Sequence, residues 1–355
     1  MKISVALATY NGERFIAKQL ASLAQQTLLP HELVVSDDGS TDRTLEIVEA
    51  FSRWAPFPMR IFRNDVNLGF ALNFLRAASL CSGECLAFCD QDDVWMPNKL
   101  EKCAEVLQDK EIVLLIHSAK VIDETGAELG WCRPSIKRSR KLIGSETPPL
   151  VALQPPGFAM VLKHRIVDEL WNVWPHTLYD TLPKRHLLGH DKLLYCIARD
   201  FGYIYFERAT LSFFRTHGGN ATTPRSAFAP WRRRIREEVM RAYLARAEDY
   251  REAAERYGVE ERVLRAICER RRYRSLVELE QLWHDTRRNL ELRARLYERR
   301  SVEYWRCYFG MLRRRSYSAR RKGGLGIRSA IKDAAIGCVT SLLFSRSNVT
   351  GNSAR

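Results

Sequence analysis

Cys85-Leu86-Ala87-Phe88-Cys89-Asp90-Gln91-Asp92-Asp93-Val94-Trp95-Met96-Pro97-Asn98-Lys99-Leu100 is an apolar run, then three carboxylates, then the opening of a helix. The order reads as a strand that delivers Asp90, Asp92 and Asp93 at its C-terminal end, where open α/β sheets hold their ligands. Carboxylates crowded there call for a counter-charge. A magnesium-type cation suits, because it takes one or two protein carboxylates and fills its other positions with phosphate oxygens and water. The stretch therefore reads as a metal site for a substrate that carries a diphosphate. The competing reading is an acidic helix start, with Asp92 or Asp93 capping the helix opened by Pro97.

Upstream of this stretch, strands and helices alternate. Residues 3–8 read as a buried strand, and residues 13–25 carry Phe15, Ile16, Leu20 and Leu23 at helical spacing. A strand over 32–36, a helix over 44–51, a strand over 59–62, a loop over 64–69, a helix over 70–81 and a strand over 85–89 follow. Such βαβ alternation predicts a largely parallel, right-handed, doubly wound sheet whose loops converge on one crevice.

Three of those loops are unusually polar: Thr9-Tyr10-Asn11-Gly12-Glu13, Asp37-Asp38-Gly39-Ser40 and residues 90–93. A carboxylate in such a crevice accepts from a base ring N–H and from ribose hydroxyls, short polar groups complete the base contacts, and an aromatic ring stacks. Together the loops read as a nucleotide pocket, although Asp-Asp-Gly-Ser is also ordinary turn chemistry. No G-x-G-x-x-G follows the first strand and no P-loop pattern occurs, which argues against dinucleotide redox chemistry and a P-loop ATPase.

Ala8-Thr9-Tyr10-Asn11, Ser22-Leu23 with Gln26-Thr27, residues 34–42 (VVSDDGSTD), Asn67-Leu68-Gly69 with Asn73, and Asp90-Gln91-Asp92 together resemble the bacterial family 2 glycosyltransferases over roughly residues 1–220. The form DQDDVWMPNKL further resembles a rhamnosyltransferase-like subgroup. The resemblance implies an α/β class and a GT-A fold: a Rossmann-like, doubly wound mixed sheet forming a catalytic domain over residues 1–226, with a C-terminal α-helical appendage over 227–355. It implies a nucleotide pocket of Thr9, Tyr10, Asn11, Glu13, Asp37, Asp38, Asn67 and Asn73. Asp90 and Asp92 would be the D-x-D pair, with His217 near a Mg2+ or Mn2+ ion, and Gly157 and Asp90 would meet the donor sugar. Asp191, in Gly189-His190-Asp191-Lys192, would be the catalytic base. The family pattern often has aromatics after that pair, where this chain has Lys192-Leu193-Leu194-Tyr195, a departure that bears on acceptor contacts.

The chemistry asks for such a base independently. An acceptor hydroxyl loses its proton as it attacks an anomeric carbon, and an ionised Asp positioned against it takes that proton in a single inverting displacement. Other readings stand beside these: Asp191 as a plain carboxylate at a helix N-terminus, His217 as part of a His-Gly-Gly-Asn turn, and Gly157 as a Pro-Gly turn. Residues 131–149 are basic and turn-rich and read as a mobile loop near the acceptor.

Residues 231–355 hold 31 Lys plus Arg against 16 Asp plus Glu, whereas residues 1–230 hold 26 of each, so the net charge of +15 lies in the tail. The tail is helical in pattern, with apolar positions such as Val239, Tyr243, Leu244, Tyr250, Val263, Leu264, Ile267, Leu276, Leu279 and Leu282, and with interleaved aromatics. Residues 327–344 form an amphipathic stretch, too short and too interrupted by Lys332 and Asp333 to span a bilayer. Its apolar face fits a membrane interface or, equally, packing on the catalytic domain or on a second subunit in a homo-oligomer. Nucleic acid is disfavoured, because no readable nucleic-acid motif accompanies the arginines.

The expected partners are a nucleotide-sugar donor and a glycan or lipid-linked acceptor. Met1 leads straight into the first strand, so the expected location is the cytoplasm, with contact to the inner face of the cell membrane through the basic helices. The 9 cysteines read as reduced thiols. The leading function is addition of a single sugar in surface-polysaccharide assembly. The alternative is a non-catalytic membrane- or nucleic-acid-binding protein that keeps the fold.

Overall fold

The computed structural model describes residues 1–143, 146–147, 155–173, 189–218, 274–298, 301–314 and 316–317, with scattered positions between 250 and 333. The chain divides into two compact units, residues 1–225 with 270–276, and residues 226–269 with 277–355.

The first unit opens with β1 (Ile3–Thr9), α1 (Ile16–Ala24), β2 (Glu32–Asp37), α2 (Thr44–Ser52), β3 (Met59–Arg63), α3 (Phe70–Ser79) and β4 (Cys85–Asp90). β1 is buried at every residue, as expected of a parallel strand covered on both faces, so between its polar Ser4 and Thr9 the sequence is apolar at every position rather than alternating. α1 buries Ile16, Leu20 and Leu23 at i, i+4 and i+7 against this sheet. The order β3-β2-β1-β4 is parallel throughout, and β1 pairs with β2 on one side and β4 on the other. Because the chain winds outward to β3 and returns to β4, the switch of winding direction lies between β1 and β4. Thr9 and Asp90 end those two strands, which puts their loops on the crevice where such sheets bind ligands.

Beyond Asp90 come β5 (Val94–Trp95), α4 (Lys99–Leu107), β6 (Ile112–Ile122), β7 (Glu128–Cys132), β8 (Arg140–Ile143), a 3-10 turn at Gly157–Ala159, β9 (Met160–Lys163), α5 (Arg165–Val173), α6 (His190–Phe201) and β10 (Tyr203–Arg215). β9 is antiparallel between β4 and β6, while β10 runs parallel to β6, so the full sheet is mixed. Part of the stretch expected as a loop over 131–149 is strand: β7 ends at Cys132 and pairs with β6, and β8 pairs with β10.

The second unit contains most of α7 (Arg274–Glu298) and all of α8 (Ser301–Arg313). Its core gathers Leu296, Tyr297, Tyr304, Tyr308, Met311, Tyr317 and Ala330. Asp333, expected as a charged interruption of an amphipathic helix, is fully buried here. It accepts from Arg293 Nη2 at 2.6 Å and from the hydroxyls of Tyr297 and Tyr317, each at 2.9 Å. The buried carboxylate is thus paired and hydrogen-bonded, the condition under which a charge persists in a core. The rest of 327–344, and Val239, Tyr243, Leu244, Val263, Leu264 and Ile267, lie outside the described residues. Among the described residues no helix is long and apolar enough to cross a membrane.

Candidate active site

A cavity of about 510 Å³ opens at the β1/β4 switch point, lined by the ends of β1, β2, β4 and β10, the Gly157 turn and the start of α6. It brings together Thr9, Tyr10, Asn11, Asp38, Asn67, Asn73, Asp90, Asp92, Gly157, Asp191 and His217. A second hollow of about 440 Å³ shares Tyr10, Asp38 and Asn67 and adds Gly39, Arg63, Asn64, Asp65 and Val66. Glu13 and Asp37 line neither. Glu13 accepts from the Arg43 N–H at 3.0 Å, ahead of α2, and both Asp37 carboxylate oxygens accept from the Ser40 N–H at 3.1 and 3.0 Å. Each holds the β2–α2 turn, so their place is to brace the pocket from behind.

Asp38, only 2% exposed, is the hub of one wall. Its Oδ1 accepts from Asn64 Nδ2 at 2.8 Å and the Leu68 N–H at 2.7 Å, and its Oδ2 accepts from the Gly69 N–H at 2.8 Å. A carboxylate has about four lone-pair sites. Asp38 therefore fixes the 64–69 loop and keeps spare acceptor capacity on Oδ2. Asn64 also donates to Asn73 Oδ1 at 3.0 Å, and Asn73 donates to the Thr9 carbonyl at 3.2 Å, which ties α3 to the end of β1.

The opposite wall is the 9–12 loop. Asn11 takes a left-handed φ of 48°, and its Oδ1 accepts from the Thr41 N–H at 2.9 Å. An asparagine suits this place because it tolerates that conformation and bonds locally. Tyr10 is 50% exposed, its backbone gripped at both polar atoms by one side chain: its N–H donates to Gln91 Oε1 at 2.9 Å and its carbonyl accepts from Gln91 Nε2 at 3.0 Å. The approach needs Gly12, since a Cβ there would come 2.2 Å from Gln91 Oε1. The middle residue of the D-x-D run thus positions Tyr10 at the cavity.

At the floor, burial together with the negative charges of Asp92 and Asp191 pushes the Asp90 carboxyl up to about 8. Asp92 Oδ2 lies 2.7 Å from His217 Nε2. Asp93 is fully buried, and burial together with the negative charges of Asp90 and Asp92 raises it well above the usual carboxylate range. Lys99, equally buried, sits 3.6 Å over the Trp95 ring and donates to the Phe158 carbonyl at 2.8 Å, fixing the turn that carries Gly157; burial pulls its ammonium down to about 8. Arg215 donates from Nε to the Asp92 carbonyl at 2.8 Å, and its N–H donates to Asp93 Oδ1 at 3.0 Å. Among the described residues no three His, Cys, Asp or Glu groups form a ready-made metal cage.

Asp191 stands in the first turn of α6, where the helix dipole favours an anion, and its Oδ1 accepts from the Lys192 N–H at 2.8 Å. His190 beside it is packed between Phe74 and Phe88 at ring distances of 4.4 and 4.6 Å, and neither ring nitrogen has a hydrogen-bond partner among the described residues. Burial drives this imidazole down to about 4, so it is neutral at ordinary pH. A Cβ on Gly157 would come 2.6 Å from His190 Nε2, so Gly157 serves His190 as well as lining the cavity.

Gln91, Lys99, Arg215 and His190 carry much of this geometry, and the sequence reading gave them no role. Gln91 and Lys99 lie inside the quoted run, and Arg215 two residues before His217, so proximity to the motif was the available signal.

Residues 4–170 match the family model described as glycosyl transferase family 2. An uncharacterized glycosyltransferase of Nostoc sp. is 28% identical over 228 residues, covering 62% of this chain and 66% of the relative. An uncharacterized protein of Mycobacterium tuberculosis is 34% identical over 140 residues, covering 37% of this chain and 40% of its own length. The chain thus spans less than two-thirds of the length of these curated relatives. Among solved structures, S. aureus TarS 1-349 in complex with UDP-GlcNAc superposes with a TM-score of 0.56 at 20% identity, over 86% of this chain and 92% of that one, and so shares its fold. The similarity to glycosyl transferase family 2 thus spans residues 4–170, a little under half of the chain, and the fold that carries it is of the GT-A type.

Proposed function

We propose that the chain is an inverting glycosyltransferase that moves a single sugar from a nucleotide-diphosphate donor, dTDP-rhamnose or a UDP-hexose, to a lipid-linked or oligosaccharide acceptor of surface polysaccharide. The observation that carries the reading is the convergence of Asp90, Asp92 and Asp191 on one cavity whose other wall is built from Thr9, Tyr10 and Asp38. The fold shared with a protein solved with UDP-GlcNAc supports a nucleotide-sugar donor. The rhamnose option rests on the subgroup resemblance alone.

In this reading the Tyr10 ring stacks on the base, and the spare lone pair of Asp38 Oδ2 takes a ring N–H. The residues present fit a divalent cation: Asp90 and Asp92 offer hard oxygen donors, and the burial and neighbouring negative charge that together raise Asp90 are what a cation would offset. Asp90, Asp92 and His217 would hold Mg2+ or Mn2+. When bound, that ion stabilises the charge of the departing diphosphate. Asp191 takes the proton of the acceptor hydroxyl as its oxygen attacks the anomeric carbon from the face opposite the leaving group. The displacement inverts the anomeric centre.

The test is release of nucleoside diphosphate from a panel of UDP- and dTDP-sugars, with water or an added oligosaccharide taking the glycosyl group, with and without Mg2+ or Mn2+, by the chain and by Asp191→Asn. The reading expects donor-selective release from the chain and loss of turnover, with nucleotide binding retained, in Asp191→Asn. Binding without turnover by both proteins would favour the non-catalytic alternative.

A further inference from the structure

α8 is apolar on two faces. Tyr304, Tyr308 and Met311 enter the core of the second unit and are 0, 7 and 1% exposed. On the other side Phe309 is 56% and Leu312 40% exposed, with the half-buried Trp305 ring 5.9 Å from that of Phe309. Positions 305, 309 and 312 stand at i, i+4 and i+7 and so form one stripe along the helix. Arg306 and Arg313 are exposed on one flank of that stripe, Arg314 is exposed in the turn just past the helix, and Glu303 is the one acidic residue of the helix. A surface helix ordinarily turns polar residues outward. This one turns outward large apolar side chains edged with guanidinium groups.

We propose that the Phe309–Leu312 face of α8 is a membrane-docking surface for a bilayer rich in anionic lipid. Phe309 and Leu312 sit at the boundary between headgroups and acyl chains, and the arginines meet lipid phosphates. This is the division of labour of an interfacial helix, in which apolar burial and headgroup attraction add. Charge selects the occupant. The excess of 31 basic over 16 acidic residues lies wholly in 231–355, which contains this helix. A second copy docked through the same face across a two-fold axis would set Arg306, Arg313 and Arg314 against their own counterparts. Duplex nucleic acid would satisfy the arginines and leave the apolar stripe in water. The surface stands independently of the transfer reaction.

The test is co-sedimentation of the full chain with vesicles of phosphatidylcholine alone and of equal parts phosphatidylcholine and phosphatidylglycerol. The chain is expected to bind the anionic vesicles about tenfold more tightly, with the preference shrinking as salt rises. Phe309→Ser with Leu312→Ser is expected to weaken that binding about tenfold, with circular dichroism and melting temperature unchanged because both side chains are exposed. Arg313→Glu with Arg314→Glu, which removes no apolar surface, is expected to weaken it further and serves as the readout if the first variant folds poorly. Absence of binding to anionic vesicles, or equal binding by the wild type and both variants, overturns the proposal. A dimer seen by sedimentation velocity and dissolved by Phe309→Ser with Leu312→Ser would assign the face to a second copy instead.

Discussion

Gln91→Ala removes the side chain that holds the Tyr10 backbone at both polar atoms, with bonds of 2.9 and 3.0 Å. Each such bond is worth about 1 kcal/mol net, so the clamp contributes about 2 kcal/mol to the order of the 9–12 loop. If that order is what presents the half-exposed Tyr10 ring, nucleotide affinity falls by up to about thirtyfold, at about 1.4 kcal/mol per decade. Gly12→Ala perturbs the same contact from the other side. Its Cβ would come 2.2 Å from Gln91 Oε1, at the far end of a flexible side chain that swings away readily. The two substitutions therefore break one interaction, and the double variant should lose no more than about 0.5 kcal/mol beyond the weaker-binding single variant. Titration calorimetry of UDP and dTDP against the four proteins measures the cycle. Strictly additive losses, or an unchanged dissociation constant in Gln91→Ala, would refute the claim that Gln91 acts by positioning Tyr10.

Asp38→Ala strands three donors, the Leu68 and Gly69 N–H groups and Asn64 Nδ2, and should cost about 3 kcal/mol of stability in denaturant melts, with hydrogen exchange rising at 64–69. Gly157→Ala forces a Cβ to within 2.6 Å of the His190 ring and should destabilise by about 1–3 kcal/mol, the usual cost of overpacking. Burial works against ionisation of Glu32, but hydrogen bonds from Ser82, Ser4 and Arg60 outweigh it and hold the carboxyl at about 2, below its ordinary 4.5. A depressed carboxylate stabilises the fold above pH 4.5, and that contribution, about 3 kcal/mol, is lost as pH falls toward 2. Glu32→Gln should therefore be less stable than wild type at pH 7, and the gap should narrow steadily below pH 4.5 in urea melts; a gap independent of pH would contradict this.

The parallel half of the sheet was legible because each element carries its own local signal. β1, β2 and β4 each carry a short apolar run, 5–8, 33–35 and 85–89, and α1 repeats Ile16, Leu20 and Leu23 at helical spacing. The two-residue β5 carries no such signal, because its pairing partners, Ser212 and Phe213, lie far along the chain. The antiparallel setting of β9 is likewise decided by its neighbours β4 and β6. In the site, residue type found most of the polar groups on the cavity but did not separate carboxylates that line it from those that hold the turn behind it. Asp37 and Asp38 are adjacent and chemically identical, yet one holds Ser40 behind the wall and the other faces the cavity. His190 was passed over for Asp191 because nothing local in the sequence distinguishes a histidine buried between two phenylalanines from one in water.

The most direct test of a nucleotide-diphosphate site at the β1/β4 crevice is a thermal-shift titration with UDP, dTDP and their sugar conjugates, each with and without Mg2+ or Mn2+, on the chain and on Asp92→Asn. A ligand that binds only the folded state raises its melting temperature by mass action. The account predicts a shift for one nucleotide class that grows with the divalent ion and loses that dependence in Asp92→Asn. No shift with any nucleotide, with or without metal, would contradict it.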